Sequence, residues 1–232
     1  MKIKIYADGA NEKEILYFNK KSNISGLTTN PSLMRKSGIS NYKNFSIKIL
    51  KKVKKKPISF EVFADDFDSM YLQAKKISSW GNNVYVKIPI TNTKGLSCKK
   101  LIKSLSKENI KLNITAIFTK SQINTVYKFL DKSTPAIISI FAGRIADTGR
   151  NPVKIIKYAN KLFKRNTKHK ILWASTREIL NIVQAEKAGA DIITIPTGIL
   201  KKLNLINKNL NSYSLETVKE FHKDATAAKY KI

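Results

Sequence analysis

Lys87 lies in the run Val84-Tyr85-Val86-Lys87-Ile88-Pro89-Ile90, among apolar, aromatic and proline neighbours. A charged amine in such a strand is costly unless it is paired or neutralised. Burial favours the neutral form of an amine, and a neutral amine attacks a ketone to form a Schiff base. The competing reading is a strand-end lysine that reaches solvent. Glu61 and Asp8 are carboxylates suited to proton transfer beside a cationic imine. Thr115 could orient a water between Glu61 and that imine. Asn30, Asn113 and Ser139 are neutral hydrogen-bonders of the kind that hold sugar hydroxyls. Arg144 and Arg177 could grip a phosphate, because a guanidinium meets phosphate oxygens through two parallel bonds. Only Arg35, Arg144, Arg150, Arg165 and Arg177 among the 44 basic residues are arginine, so two of them at these positions carry weight.

These residues must be positioned by strand ends. Residues i and i+2 of a strand face the same way. Such pairs recur along the chain: Thr28 and Asn30, Ser59 and Glu61, Tyr85 and Lys87, Asn113 and Thr115, Ser139 and Phe141, Ser175 and Arg177, with Asp8 sharing a face with Tyr6. The runs that carry them read as strands at 2–7, 24–28, 58–62, 84–88, 111–116, 136–141, 170–174 and 192–195. Helical patterning follows at 41–55, 66–80, 96–107, 120–130, 152–165 and 178–188. Strands interleaved with helices imply βα units and a parallel sheet. Eight such units predict an α/β fold of the closed (β/α)8 TIM-barrel kind, in which all C-terminal strand ends meet at one rim. A doubly wound open sheet is the alternative, and no GxGxxG or Walker pattern supports a nucleotide-binding form of it.

Each residue also has a plainer reading. Asp8 could cap the helix starting near Asn11, and Thr28-Thr29-Asn30-Pro31-Ser32 could be a turn with Pro31 at a first helical position. Glu61 and Lys87 could be a buried ion pair. Arg144 could be a surface-loop arginine, Asn113 a structural hydrogen-bonder, and Trp173 a barrel filler.

Composition narrows the classes. The formal charge of +28 invites a nucleic-acid reading, but the lysines are spread over the whole length and the densest run, residues 51–56, closes a predicted helix. Lysines in a last turn suit the helix dipole. Weak polyanion binding at low salt is expected, and no specific nucleic-acid partner. There is no apolar run of transmembrane length and no signal-peptide pattern at the start, so no membrane partner is expected. Cys98 is the one cysteine and fits a reducing cytoplasm. With His169 and His222 the only histidines, no metal site is expected. Residues 1–232 read as one domain. Residues 203–213 look loop-like, and a last helix at 214–230 is expected, with Ser214 as N-cap and Leu215, Val218, Phe221, Ala225 and Ala228 as its apolar stripe.

Taken in order, Asp8-Gly9-Ala10-Asn11, Thr28-Thr29-Asn30-Pro31-Ser32, Glu61-Val62, Val86-Lys87-Ile88-Pro89, Asn113-Ile114-Thr115, Ser139-Ile140-Phe141-Ala142-Gly143-Arg144 and Ala174-Ser175-Thr176-Arg177 resemble the transaldolase family, including fructose-6-phosphate aldolase, over nearly the whole chain. The resemblance implies a cofactor-free, class I barrel enzyme. Its donor would be a ketose phosphate such as fructose 6-phosphate or sedoheptulose 7-phosphate. Lys87 would form the Schiff base and Asp8 would take the proton that triggers carbon–carbon cleavage. Glu61 and Thr115 would manage protons. Thr28, Asn30, Asn113, Ser139 and Phe141 would line the substrate site, and Arg144, Ser175 and Arg177 would bind phosphate. The aldolase branch typically carries Gln at the position of Glu61 and Tyr at that of Phe141, so transfer is favoured over aldol release. A fructose-6-phosphate aldolase, or a transaldolase specialised for another sugar phosphate in polysaccharide biosynthesis, is the alternative. The resemblance also implies cytoplasmic carbohydrate metabolism, in the pentose phosphate pathway, and a pentameric or decameric homo-oligomer. Two features depart from the family pattern. Gly143–Gly149 lacks the acidic pair often found after the arginine, and Glu178 follows Arg177, where a carboxylate could weaken a phosphate clamp.

Overall fold

In the computed structural model, which describes residues 2–231, eight short runs rich in Ile, Leu and Val become strands. They are β1 (Lys4–Asp8), β2 (Ile24–Thr28), β3 (Ile58–Glu61), β4 (Val84–Pro89), β5 (Leu112–Ile117), β6 (Ala136–Ile140), β7 (His169–Trp173) and β8 (Ile192–Pro196). Each pairs in parallel with the next, and β8 closes on β1. The helices are α1 (Glu12–Asn19), α2 (Pro31–Lys36), α3 (Tyr42–Lys52), α4 (Phe67–Ser78), α5 (Lys99–Lys107), α6 (Lys120–Phe129), α7 (Ala142–Ala146), α8 (Val153–Phe163), α9 (Leu180–Ala188), α10 (Thr197–Leu200) and α11 (Leu210–Ala227). The expected (β/α)8 barrel is the observed fold. Residues up to Leu200 form one compact unit, and those from Lys201 on form a second.

Within the first unit, local chemistry sets the element ends. Asn11, Asn30, Asn41 and Asp66 each accept a hydrogen bond from the backbone N–H three residues on, which starts α1, α2, α3 and α4. Thr119 and Gln122 form a reciprocal capping box at α6. Two helices start two or three residues later than the pattern suggested. The Asn92 side chain accepts from the N–H groups of Lys94 and Leu96, folding a turn that delays α5 to Lys99. Asn181 accepts from the N–H groups of Arg177 and Glu178, so α9 begins at Leu180. The lysine run also outlasts its helix: α3 ends at Lys52, and Lys56 beyond it donates to the carbonyl of Lys21 at 2.6 Å.

The barrel floor is a cluster of Tyr6, Ile137, Leu172, Ala174 and Ile192, with Tyr85 and Phe141 packed against it. Gly26 makes room for this floor, since a Cβ there would come within 2.4 Å of the Tyr6 ring. Residues that alternate with the interior set, such as Val86, Ile88, Ile114 and Ile193, are completely buried beneath the helices. Trp173 belongs to this outer layer, because it alternates with the interior Leu172 and Ala174. It is therefore not a barrel filler, and its buried indole N–H has no partner.

The second unit holds a 3-10 turn (Leu203–Leu205) followed by α11. The helix starts one turn earlier than expected, because Asn209 rather than Ser214 caps it by accepting from the N–H of Ser212. No residue of α11 is buried, and Leu215, Val218 and Phe221 are all more than half exposed, at 55, 59 and 68%. Among the described residues no helix is long and apolar enough to cross a membrane.

Candidate active site

The strand register brings the chemistry together. Glu61 on β3 pairs with Lys87 on β4, Lys87 pairs with Asn113 on β5, and Thr115 pairs with Pro89. On the other side, Asp8 on β1 pairs with Thr28 on β2. These positions open into a cavity of about 160 Å³ at the C-terminal rim. Asp8, Thr28, Asn30, Lys87, Asn113, Thr115, Ser139, Phe141, Arg144, Ser175 and Arg177 all line it. Glu61 is the one expected site residue that does not. It stands beside Lys87, with its Oε2 3.4 Å from Nζ.

Lys87 is 7% exposed, so the reading of a solvent-reaching lysine is excluded. Its Nζ donates to the carbonyl of Thr29 at 3.0 Å. That carbonyl is itself held in place, since Thr29 donates both its N–H and its hydroxyl to the carbonyl of Ser59. Glu61 is fixed from behind by Tyr42 of α3. The Tyr42 hydroxyl donates to the Glu61 carbonyl at 2.8 Å and accepts from the Glu61 N–H at 2.7 Å. The Tyr42 ring is wedged by edge contacts with Phe60 and Phe63 and a tilted one with Trp80.

Asp8 accepts the Thr28 hydroxyl at Oδ1, 2.8 Å away. It does not cap α1; Asn11 does. Burial raises the pKa of Asp8, opposed by the Lys87 charge and the Thr28 hydrogen bond and assisted by Glu61. Below it the hydroxyls of Thr28 and Thr194 touch, and Thr176 donates to the Thr194 carbonyl at 2.7 Å.

Asn113 and Ser139 are linked. Ser139 donates to Asn113 Oδ1 at 2.6 Å, and Asn113 Nδ2 donates to the Ser59 hydroxyl at 3.0 Å. An amide carries two N–H donors, so one remains for a ligand. Asn30 fills both of its readings: its oxygen caps α2 at the Leu33 N–H, 2.9 Å away, while the residue lines the pocket. Thr115 precedes Ala116, whose φ is +58°, where the β5–β6 register shifts. A bulge re-aims its neighbours, and the buried Thr115 hydroxyl has no partner.

The arginines sit together. Arg144 is on α7, not a loop, with its guanidinium 5.6 Å from the centre of the Phe141 ring. Arg177 is gripped by Asp147, through Nε to Oδ1 at 3.1 Å and a terminal nitrogen to Oδ2 at 2.5 Å. That pairing raises the pKa of Arg177 and lowers that of Asp147. The carboxylate on the clamp is therefore Asp147 and not the neighbouring Glu178. Ser175 has a φ of +65°, which breaks the alternation assumed for its pair with Arg177.

Sequence reasoning missed Thr194, Thr29, Tyr42 and Asp147. Thr194 did leave a signal, as the lone polar residue in Ile192-Ile193-Thr194-Ile195. Tyr42 left none, because its partner is a backbone distant in sequence. Among the described residues no group of three or more His, Cys, Asp and Glu is arranged to hold a metal ion.

A hydrogen-bonded amine beside a carboxylate, a second desolvated carboxylate, hydroxyl and amide groups, and two guanidiniums suit imine chemistry on a phosphorylated polyol. The family model described as Transaldolase/Fructose-6-phosphate aldolase matches residues 5–232. A probable transaldolase of Nitrosopumilus maritimus is 37% identical over 203 residues, 87% of each chain. A probable transaldolase of Methanococcus vannielii is 34% identical over 215 residues, 92% of this chain and 94% of its own. In fold the chain is similar to the tryptophan synthase alpha subunit from Campylobacter jejuni, with a TM-score of 0.58, 18% identity, and coverage of 90% of this chain and 92% of the other.

Proposed function

The chain belongs to the transaldolase/fructose-6-phosphate aldolase family, and from that premise we propose that it is a transaldolase carrying a dihydroxyacetone unit on Lys87 as a Schiff base. The observation that supports this most is the placement of Lys87: buried, 3.4 Å from Glu61, and in one pocket with Asp8.

The Lys87 amine in its neutral form adds to the ketone carbon of a ketose phosphate. The carbinolamine loses water, with Glu61 and a water held by Thr115 supplying the proton. The resulting cationic imine draws electrons from the adjacent carbon–carbon bond. Asp8 accepts the proton of the hydroxyl beyond that bond, the bond breaks, an aldehyde leaves, and a three-carbon enamine stays on Lys87. Addition to an acceptor aldehyde and hydrolysis reverse these steps. Burial suits Asp8 to accepting a proton, while Lys87 and Thr28 support its ionised form. Asn30, Asn113 and Ser139 would hold substrate hydroxyls, and Arg144, Arg177 and Ser175 the phosphate. No cofactor enters this scheme.

Borohydride reduction with fructose 6-phosphate, followed by peptide mapping, tests the reading. An adduct on Lys87 is expected, and Lys87→Met gives none. No adduct, or one on another lysine, overturns it. Transfer rather than aldol release is favoured by Glu61 and Phe141, and free dihydroxyacetone accumulating without an acceptor would reverse that preference. We also infer a cytoplasmic enzyme of the pentose phosphate pathway. A homo-oligomer would cover the exposed apolar residues of α11, and a pentamer or decamer is the form that the family resemblance implies.

A further inference from the structure

Thr194 is the polar exception in β8, between Ile193 and Ile195, both fully buried. It has no role in the scheme above, yet it lines the pocket and meets the Thr28 hydroxyl. Its backbone is pinned from the far side, where the buried Thr176 hydroxyl donates to the Thr194 carbonyl. Thr28, Thr176 and Thr194 are 3, 2 and 6% exposed, so water does not compete for these bonds.

The direction of the chain follows from donor counting. A hydroxyl has one proton to give, and an ionised carboxylate can only accept. Thr28 gives its proton to Asp8 Oδ1. In the contact between the two threonines the donor is therefore Thr194, and both dipoles point toward Asp8. Hydrogen bonds in series polarise one another, more so away from water. The chain occupies one edge of the carboxylate at Oδ1 and leaves Oδ2 for the substrate.

We propose that Thr194 is a positioning residue for Asp8, acting through the Thr28 hydroxyl to hold the carboxylate ionised and turned so that Oδ2 meets the substrate proton. This rests on the Schiff-base reading in which Asp8 accepts that proton. The charged groups that act on Asp8 are Lys87 on β4 and Glu61 on β3, and Arg144 and Arg177 line the same pocket. None of these contacts Thr194 through a hydrogen bond, so a change at Thr194 reaches Asp8 along the hydroxyl chain.

The test uses the full chain with fructose 6-phosphate and excess phosphorylated aldose acceptor. Thr194→Val keeps the shape and removes the donor. The expected result is kcat lower by roughly tenfold, on the scale of one lost hydrogen bond, with KM nearly unchanged. The acid limb of the kcat–pH profile moves to higher pH, because the ionised form of Asp8 has lost support. Thr194→Ser restores both, and borohydride trapping on Lys87 is as fast as in the unaltered chain. Should Thr194→Val fail to fold, Thr194→Ala is compared with Thr194→Ser in the same way. An unmoved acid limb, or a serine variant as impaired as valine, overturns the proposal. If the unaltered chain forms no adduct on Lys87, the Schiff-base reading itself fails; if the adduct forms and only the Thr194 variants behave normally, the role of Thr194 alone fails.

Discussion

Thr115 has a buried hydroxyl that no protein group satisfies. That hydroxyl belongs to a pocket-lining residue, where it would hold the water that passes a proton between Glu61 and the imine. Thr115→Val, which removes the hydroxyl, is expected to slow formation of the borohydride-trapped adduct about tenfold, on the scale of one lost hydrogen bond. An unchanged rate would deny Thr115 a role in proton handling. Arg177 makes the complementary case. Its fork is occupied by Asp147, and both side chains are 49% exposed. Exposed pairs are worth only about 0.2–1 kcal/mol, so a phosphate can displace the carboxylate. Asp147→Asn should then tighten inhibition by inorganic phosphate about two- to fivefold, read from inhibition constants at fixed ionic strength. Weaker inhibition would mean that Asp147 positions Arg177 instead of competing for it.

Among the elements, the join between β6–α7 and the turn after β7 decides whether both arginines reach one ligand. A Cβ on Gly143 would lie 1.5 Å from the Ser175 carbonyl oxygen, a contact that no adjustment of a side chain relieves. Gly143→Ala must push α7, which carries Arg144, away from the turn that carries Arg177. The expected outcome is a melting temperature lower by several degrees and a KM for fructose 6-phosphate raised about tenfold or more, with trapping at Lys87 retained at saturating donor. Unchanged KM would separate the two arginines from a common phosphate site. Element positions were largely legible beforehand, since β2 has the expected ends and most other strands differ by a residue or two. Starts of helices were less so. The delays at α5 and α9 come from the side chains of Asn92 and Asn181 folding back on nearby N–H groups, bonds that apolar periodicity does not reveal.

For the whole molecule, the unit from Lys201 on offers Leu215, Val218 and Phe221 to solvent along α11. Apolar side chains at this spacing need a partner to be stable in water. A Leu215→Glu, Phe221→Lys double variant should shift the sedimentation coefficient to that of a single chain without changing the far-ultraviolet dichroism. An oligomer that survives the substitutions would place its contacts elsewhere. The net charge of +28 belongs to this scale too, for it arises from lysines spread along the whole chain and marks no one site.

The sequence by itself determined the alternation of strands and helices and the residue types carried at the strand ends, and it favoured a closed barrel over an open sheet. Period-two polarity near strand ends, together with parallel βα repetition, brings those side chains to one edge of the sheet, and the pairing of β8 with β1 closes that edge into a rim. Tertiary structure alone decided who partners whom. The Thr194–Thr28–Asp8 chain, the Tyr42 hydroxyl bracketing the Glu61 backbone, and the Asp147 carboxylate seated on Arg177 all join residues far apart in the chain. Such bonds depend on register, shear and bulges that set distances to a fraction of an ångström, and no local pattern encodes those. The candidate reactive groups were therefore visible in the sequence, while what aims each of them was visible only in the folded barrel.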